Sequence, residues 1–339
     1  RSAENTVTRA PHPIPHNLPR PVTPFWGRSA ELAQLAALLA DPVTPLVTVA
    51  GSGGVGKTAL AIEAARQLVE AALLVPEEPG AHPRFADGIY FVALGAISAG
   101  SEIAPAIAEA IGYQFQKDGG DEPAQLLGYV HGKALLLLLD NAEHLLDDTD
   151  FFGRLLAAPQ VKLLVTSRHK LNRHGETVVT LDGLDYPGPA LAGEPDDMPA
   201  RRATLLQFSA VRLFVETIRR AHGNISLRDE DIAATARICH LVQGIPLAIL
   251  LAAAWIELFS PAEIAAEQNV AFLAVSAADD GADHPARQRS MQAVFDHSWK
   301  LLTRDEQQTY ARMSIFHNGC TRRVAQEVTG GSLRELLSL

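Results

Sequence analysis

The chain has 339 residues, 47% of them hydrophobic and 20% charged, and because domains usually run roughly 100–200 residues we expect two or three globular units. The formal net charge of −10 shows no basic footprint for DNA or RNA, so we expect no nucleic-acid partner for this segment. Two distant cysteines, Cys239 and Cys320, exclude a disulfide framework and indicate a reducing compartment, by default the cytoplasm.

Proline dominates the first segment, residues 1–24, which we interpret as a linker from a longer protein. His12 and His16 lie four residues apart, but the prolines between them forbid the helix that would place both on one metal-binding face. We therefore expect a solvated, extended segment without a metal site.

Strands and helices alternate over residues 25–185. Leucines recur at helical spacing over 29–40, with Ser29 as the candidate N-cap, and an apolar strand over 46–50 precedes a glycine-rich turn and a helix over 58–74. Further strand-like runs occupy 89–94, 134–139, 161–166 and 177–181, with helical patterns at 102–111, 123–130 and 150–157. This alternation predicts an α/β domain whose parallel sheet is covered by helices on both faces.

Helical patterns replace strands after a predicted connection at 186–199, which is rich in Pro, Gly and Asp. We expect an all-α domain over 186–275 and a further unit over 276–339. The apolar run 245–256 falls short of the ~20 residues that cross a bilayer, so we expect a buried helix and no membrane partner. The predicted helices occupy 209–222, 229–242, 246–259, a short stretch after 260, 291–301, 304–314 and 321–328.

The glycine-rich turn fits the phosphate-loop pattern G-x-x-x-x-G-K-[ST] and lies between a strand and a helix, as that motif requires. Glycines let consecutive main-chain N–H groups and the helix N-terminus point at a phosphate. Lys57 would reach the β- and γ-phosphates, and the Thr58 hydroxyl would hold magnesium. The predicted phosphate-binding residues are Gly51, Ser52, Gly53, Gly54, Val55, Gly56, Lys57, Thr58 and Ala59.

A carboxylate, Asp140, follows the apolar run 135–139. Many buried strands end in Asp at a turn, but after a phosphate loop we favour a role in magnesium binding together with Thr58. The Asp140 strand is the third in sequence, which suits ATPases that insert a strand between the two sites.

Arg168 follows the next predicted strand, after Thr166 and Ser167. Ligands of open parallel sheets gather at the carboxyl ends of strands, so the forked donors of Arg168 could sense a γ-phosphate. The alternative is a surface arginine in a loop.

Five motifs in order resemble the STAND ATPases, close to their NB-ARC branch, and bacterial multidomain regulators with this module look especially similar. The motifs are Phe25-Trp-Gly-Arg28-Ser-Ala-Glu31, the phosphate loop, Leu139-Asp140-Asn, Leu164-Val-Thr-Ser-Arg168 and Gln243-Gly-Ile-Pro246-Leu247-Ala. The resemblance extends from about Pro24 to the chain end.

The resemblance implies an AAA+-like nucleotide domain, an all-α domain and, from Met291, a winged-helix domain that the chain cuts short. It also implies ATP or ADP with Mg²⁺ as cofactors, Arg168 as the sensor arginine, and Pro246 against the base. The residues it assigns to packing against adenine are Phe25, Trp26, Gly27 and Arg28.

Two departures from the family pattern bear on hydrolysis and on the resting state. Asn141 follows Asp140 where many relatives carry a second acid, and an amide cannot act as a base. Either Glu143 substitutes or hydrolysis is slow, so the catalytic candidates are Lys57, Asp140, Glu143 and Arg168. His317 does not lie in the family's late histidine motif, so locking by that histidine is not expected of this segment.

These features favour a nucleotide-gated switch that opens with ATP, self-associates into a ring-like oligomer and activates a fused effector, with sensor domains outside this segment. One alternative is a steady-turnover ATPase that remodels other molecules, against which Asn141 argues. Another is an ATP-regulated transcription factor whose winged helix binds DNA, against which the acidic balance argues.

Overall fold

The computed structural model describes residues 14–20, 24–74, 84–97, 99–116, 120–143, 145, 150–192, 198–223, 227–257, 259–266, 299, 303–314, 316 and 322–330. Internal contacts divide the chain into two compact units. We call one the sheet unit, comprising Arg1–Asp185, Leu206–Leu213 and Ile245–Leu247, and the other the helical unit, comprising Tyr186–Leu205, Phe214–Gly244 and Ala248–Leu339. The domain boundaries that the sequence suggests, after 24, 185 and 275, stay predictions.

One five-stranded sheet forms the centre of the sheet unit, and each strand is parallel to its neighbours. The strand order is β2-β3-β4-β1-β5, so β4 separates the strand before the glycine-rich turn from the strand that ends in Asp140. The α/β fold class and the inserted strand predicted from sequence are therefore confirmed. The strands are β1 (Leu46–Ala50), β2 (Gly88–Ala93), β3 (Leu135–Asp140), β4 (Val161–Ser167) and β5 (Glu176–Thr180).

Helices cover both faces of the sheet because successive strand side chains point to opposite sides. On β3, Leu137 and Leu139 pack with helices α3, α4 and α5, whereas Leu136 and Leu138 pack with α1 and α2. The leucines of β3 are thus buried on both faces of the sheet, which explains why polar and apolar residues do not alternate along this strand. The helices are α1 (Ser29–Ala40), α2 (Lys57–Leu74), α3 (Ile103–Ile111), α4 (Glu122–Val130) and α5 (Asp150–Leu155).

Helix α1 is held at its end by a lysine from the centre of the sheet. Lys162 on β4 is only 4% exposed, and its ammonium group donates to the carbonyls of Leu38 (2.7 Å), Leu39 (3.2 Å) and Asp41 (2.6 Å). These carbonyls lack partners within the helix, so the cation caps them. At the other end the N-cap position is Arg28 without a side-chain cap, and the expectation of Ser29 as the cap was wrong, since Ser29 is already helical.

Of the proline-rich segment the structure describes residues 14–20 and 24, and residues 14–17 lie against the edge of β2, so this part is not the free solvated linker that was expected. The Pro15 carbonyl accepts from Ile89 N at 2.9 Å, and Ile14 is only 5% exposed. The side chain of Asn17 makes the two hydrogen bonds that the main chain of a neighbouring strand would make. Its amide oxygen accepts from Phe91 N (2.6 Å), and its amide nitrogen donates to Phe91 O (2.9 Å). Proline is tolerated here because an edge position needs few N–H donors. His12 lies outside the described residues.

The described residues after 185 contain helices and no strand, in agreement with the predicted helical region. Helix α9 is the centre of the helical unit and packs against α6, α7 and α11. The predicted connection at 186–199 contains the four-residue helix α6 and the first residues of α7, and the sequence predicted neither helix. Pro189 starts α6 at a favourable first position, and the polar α7 lacks a clear apolar period. The helices are α6 (Pro189–Ala192), α7 (Met198–Leu205), α8 (Ser209–His222), α9 (Asp229–Leu241), α10 (Pro246–Ala254), α11 (Pro261–Ala266), α12 (Arg304–Met313) and α13 (Arg322–Thr329).

The C-terminal region is described only in part. Helices α12 and α13 pack together, while the predicted helix at 291–301 lies outside the described residues except for position 299, as does His317. A winged helix stays a prediction. In the part of the chain that the structure describes, no helix is both long and apolar enough to span a bilayer.

Candidate functional site

The phosphate loop connects β1 to α2 along a path that only glycine fits at several points. Gly54 and Gly56 have φ of +73° and +96°, in the left-handed region that side chains disfavour. A Cβ on Gly51 would lie 2.5 Å from the Leu181 carbonyl oxygen, whereas one on Gly53 would meet nothing within 4 Å. The buried Ser52 hydroxyl has no hydrogen-bond partner among the described residues, so it is available to an anion in the loop. The loop therefore fits a phosphate cradle.

Lys57 begins helix α2 and its side chain turns back to the loop. Its ammonium group donates to the carbonyls of Gly51 at 3.0 Å and Ser52 at 3.1 Å. Burial lowers the pKa of Lys57, the Glu143 and Asp140 carboxylates raise it, and the Arg168 guanidinium lowers it. All four catalytic candidates thus lie close enough to influence one another.

Asp140 joins the loop to the end of the sheet. Its Oδ1 accepts from the Thr58 hydroxyl at 2.6 Å and from the Thr166 hydroxyl at 2.6 Å, while Asn141 N donates to the Thr166 oxygen at 3.0 Å. A hydroxyl and a carboxylate at this spacing are the oxygen ligands that magnesium prefers, so the pair Thr58 and Asp140 fits that ion.

Thr166 was missed as a site residue by the sequence prediction. It lies at the end of β4, directly between β1 and β3, and is 1% exposed. Its hydroxyl fixes the orientation of the Asp140 carboxylate and of the following peptide. A polar residue at the carboxyl end of a buried strand, two positions before Arg168, was the available signal.

Glu143 and Arg168 form an ion pair, with Arg168 Nε 3.0 Å from Glu143 Oε1. The Glu143 side chain is 16% exposed and that of Arg168 44%. With its amide oriented to satisfy both atoms, Asn141 donates to Glu143 Oε1 at 2.9 Å and Oε2 at 3.2 Å. Asn141, the residue directly after Asp140, therefore holds the carboxylate of Glu143.

Arg28 contacts both the phosphate loop and the segment that follows β5. Gly27 and Arg28 have φ of +68° and +66°, and a Cβ on Gly27 would lie 2.7 Å from Ser209 Cβ. The Arg28 guanidinium bonds to Glu31 at 2.8 Å, to the Val55 carbonyl at 3.3 Å and to the Asp182 carbonyl. Arg28 thus ties the tip of the phosphate loop to the chain after β5.

Phe25 and Trp26, which were also predicted to contact adenine, have different surroundings. Phe25 packs against the apolar cluster on the α1 and α2 side of the sheet, and Trp26 is partly exposed. The adenine contact predicted for both stays a prediction.

The start of helix α10 lies on the phosphate loop. Leu247 N donates to the Gly54 carbonyl at 3.2 Å, and a Cβ on Gly56 would lie 3.9 Å from Pro246 Cγ. Residues 245–247 belong to the sheet unit although they lie far along the chain. The contact of Pro246 with the base stays a prediction.

Comparison with known proteins finds relatives among bacterial regulators. A Mycobacterium tuberculosis protein whose name classes it as an HTH-type transcriptional regulator is 31% identical over 303 residues, which cover 88% of this chain and 30% of that protein. Regulatory protein AfsR of Streptomyces griseus is 35% identical over 179 residues, covering 50% of this chain and 17% of that protein. The chain thus spans less than a third of the length of these relatives.

A solved structure and a family model complete the comparison. The crystal structure of a STAND protein with a tetratricopeptide repeat sensor from Pyrococcus horikoshii matches 96% of this chain and 41% of its own, with a TM-score of 0.46 and 16% identity. A model of the AAA ATPase domain matches residues 24–210, which include the phosphate loop, Asp140 and Arg168. The recognition of a P-loop ATPase from sequence is confirmed by this match, and the chain belongs to the AAA ATPase domain family.

Proposed function

We propose that this chain is the nucleotide-gated switch of a STAND-type signalling ATPase, which binds ATP and ADP with Mg²⁺. The phosphate loop takes the β- and γ-phosphates, with Lys57 neutralising their charge. Thr58 and Asp140 hold the magnesium ion, which when bound neutralises charge on the phosphate oxygens. Arg168 reads the γ-phosphate.

The contact between Leu247 N and the Gly54 carbonyl carries the switch proposal. It fixes the first turn of α10 to the segment of loop that would rearrange around a third phosphate. The same helix continues into residues of the helical unit, so a shift of the loop changes the position from which that helix starts. A few kcal/mol of differential affinity between two arrangements is enough to move such an equilibrium.

Slow hydrolysis fits this role better than steady turnover. Asn141 cannot remove a proton from water, and its amide donates to both carboxylate oxygens of Glu143, which keeps that carboxylate engaged also when Arg168 has turned to the γ-phosphate. A remodelling ATPase needs a free base in every cycle. The nucleotide state therefore persists long enough to act as a signal.

The output that we propose for the whole protein is control of transcription, because relatives bear names of transcriptional regulators. ATP-driven self-association into a ring-like oligomer would present a fused effector, in the cytoplasm, with DNA contacts made outside this acidic segment. The predicted partition into a linker at 1–24, a nucleotide domain at 25–185, a helical domain at 186–275 and a winged-helix domain at 276–339 belongs to this proposal.

The identity and turnover of the bound nucleotide test the proposal. We expect acid extraction of the purified chain to release ADP, and ATP turnover to lie far below the roughly 1–100 s⁻¹ typical of kinases. Lys57→Ala should abolish triphosphate binding in calorimetry, with Lys133→Ala as the control. Fast, sustained turnover would favour the remodelling ATPase instead, and binding of random duplex DNA at low salt would favour direct contact with DNA by this segment.

A further inference from the structure

Glu143 has two partners that neither magnesium binding nor phosphate binding requires. Its Oε1 lies 3.0 Å from Arg168 Nε, and Asn141 can donate to both of its carboxylate oxygens. Asn141 has a left-handed φ of +65°, and a Cβ on Gly95 would lie 3.0 Å from the end of its side-chain amide, at the atom that is the amide oxygen when the nitrogen donates to Glu143. The amide therefore lies against Gly95 on one side and holds the Glu143 carboxylate on the other.

We propose that Glu143 is the resting counter-ion of Arg168 and sets the preference of the site between ADP and ATP. This inference rests on the proposed function, in which Arg168 reads the γ-phosphate. A guanidinium that bonds to Glu143 must give up that bond to engage a terminal phosphate, since both acceptors are anions that need the same donors. ADP brings no third phosphate and does not compete.

The exposure of the pair supports a reversible contact. Arg168 is 44% exposed, so its attraction to Glu143 is screened by water. A pair in which the arginine is partly exposed is weak enough for a phosphate with two charges to displace its carboxylate, whereas a fully buried pair would resist displacement. Glu143 is therefore a specificity-determining residue, and after Arg168 has moved to the γ-phosphate its two carboxylate oxygens still accept from the Asn141 amide.

Glu143→Gln tests this role, because it keeps the shape of the side chain and removes its charge. Calorimetry with Mg²⁺ and either ADP or a non-hydrolysable ATP analogue should show a gain of about fivefold or less for the triphosphate, with ADP affinity unchanged. Arg168→Ala should weaken the triphosphate alone. In the Arg168→Ala background, Glu143→Gln should bring no further gain.

Two further variants make the result specific to the proposed contact. Asn141→Gly accepts the positive φ and removes the amide, so it should change the triphosphate affinity in the same direction as Glu143→Gln and by less. Glu70→Gln is the matched control, because Glu70 also pairs with an arginine, Arg66, but lies ~20 Å along α2 from Lys57. Its nucleotide affinities should equal those of the parent chain.

Three outcomes would overturn the proposal. An equal gain in the Arg168→Ala background would mean that Glu143 simply repels the triphosphate. If Glu143→Gln leaves the ratio of ATP to ADP affinity unchanged but loses ATP turnover, Glu143 is a base. If both the ratio and the turnover are unchanged, Glu143 has no role in the site. The proposed function fails separately, if the parent chain binds neither nucleotide. Far-ultraviolet circular dichroism confirms that each variant is folded.

Discussion

Leu247 N donates to the carbonyl oxygen of Gly54 at 3.2 Å, and these residues stand almost two hundred positions apart in the chain. The bond is possible because Gly54 adopts a left-handed φ and carries no side chain where Leu247 Cβ approaches. The phosphate loop is thus shaped by a helix start as well as by its own sequence.

Gly54→Ala should destabilise the chain, because a Cβ there would lie 2.9 Å from Leu247 Cβ on a backbone with φ of +73°. We expect a loss of about 1–3 kcal/mol in the free energy of unfolding, measured by urea without nucleotide. Gly53→Ala is the control, since its Cβ would meet nothing within 4 Å. Equal losses in the two variants would contradict the role assigned to the Leu247 contact.

Thr166→Val should disturb Asp140 and Asn141 together. The hydroxyl donates to Asp140 Oδ1 and accepts from Asn141 N, and its removal takes a hydrogen-bond partner from both groups. We expect a loss of about 1–3 kcal/mol in stability and weaker Mg²⁺-dependent nucleotide binding, measured by urea unfolding and calorimetry. Thr180→Val, at the exposed end of β5, should change neither quantity. Wild-type magnesium dependence in Thr166→Val would refute its part in the site.

Lys162 should make stability depend on pH. Burial is the largest cause that lowers its pKa, from 10.5 to about 8, with a smaller contribution from Arg84. Between these two values the unfolded chain binds more protons at this site, so the stability contributed by Lys162 rises with pH across the window and is lost as pH falls through about 8. The difference in urea midpoint between the parent chain and Lys162→Met should therefore shift in favour of the parent chain from pH 7.5 to 10. A constant difference would show that the lysine pKa is not lowered.

Asn17→Ala should loosen the N-terminal segment from β2. Its amide makes two hydrogen bonds with the main chain of Phe91, each worth about 0.5–1.5 kcal/mol in a typical protein. Because this edge is exposed, we expect a total loss of about 1–2 kcal/mol, together with faster amide exchange at Phe91. His16→Ala serves as the control, since His16 pairs with Ile89 through its main chain. If Asn17→Ala leaves exchange unchanged, the segment does not protect the edge.

Much of the sheet unit is predictable because its signals are local. The leucine run of β3, the glycine spacing and the lysine of the phosphate loop each lie within a few residues, and the apolar run requires cover on both faces. The ends of parallel strands meet at one edge, which is why Asp140 and Arg168 could be placed near the loop without coordinates.

The features that escaped prediction depend on contacts between distant segments. The sequence around Pro15 and Asn17 does not indicate that these residues pair with the edge of β2, because Asn17 and Phe91 are 74 positions apart. Thr166 is a single hydroxyl without a repeating pattern, and its role appears only once β4 lies between β1 and β3. The pairing of Asn141 with Glu143 also required the turn with positive φ at Asn141.

Helix α1 has a cation at each end. Arg28 donates to carbonyls of the phosphate loop and of the chain after β5, and Lys162 donates to the carbonyls of Leu38 and Asp41 at the end of the helix. The start of the helix is thus held to the phosphate loop and to the segment after β5, and its end is held to β4. Sliding α1 along its axis would break hydrogen bonds at Val55, at Asp182 or at Lys162, so the helix and the Val55 side of the phosphate loop are held as one piece.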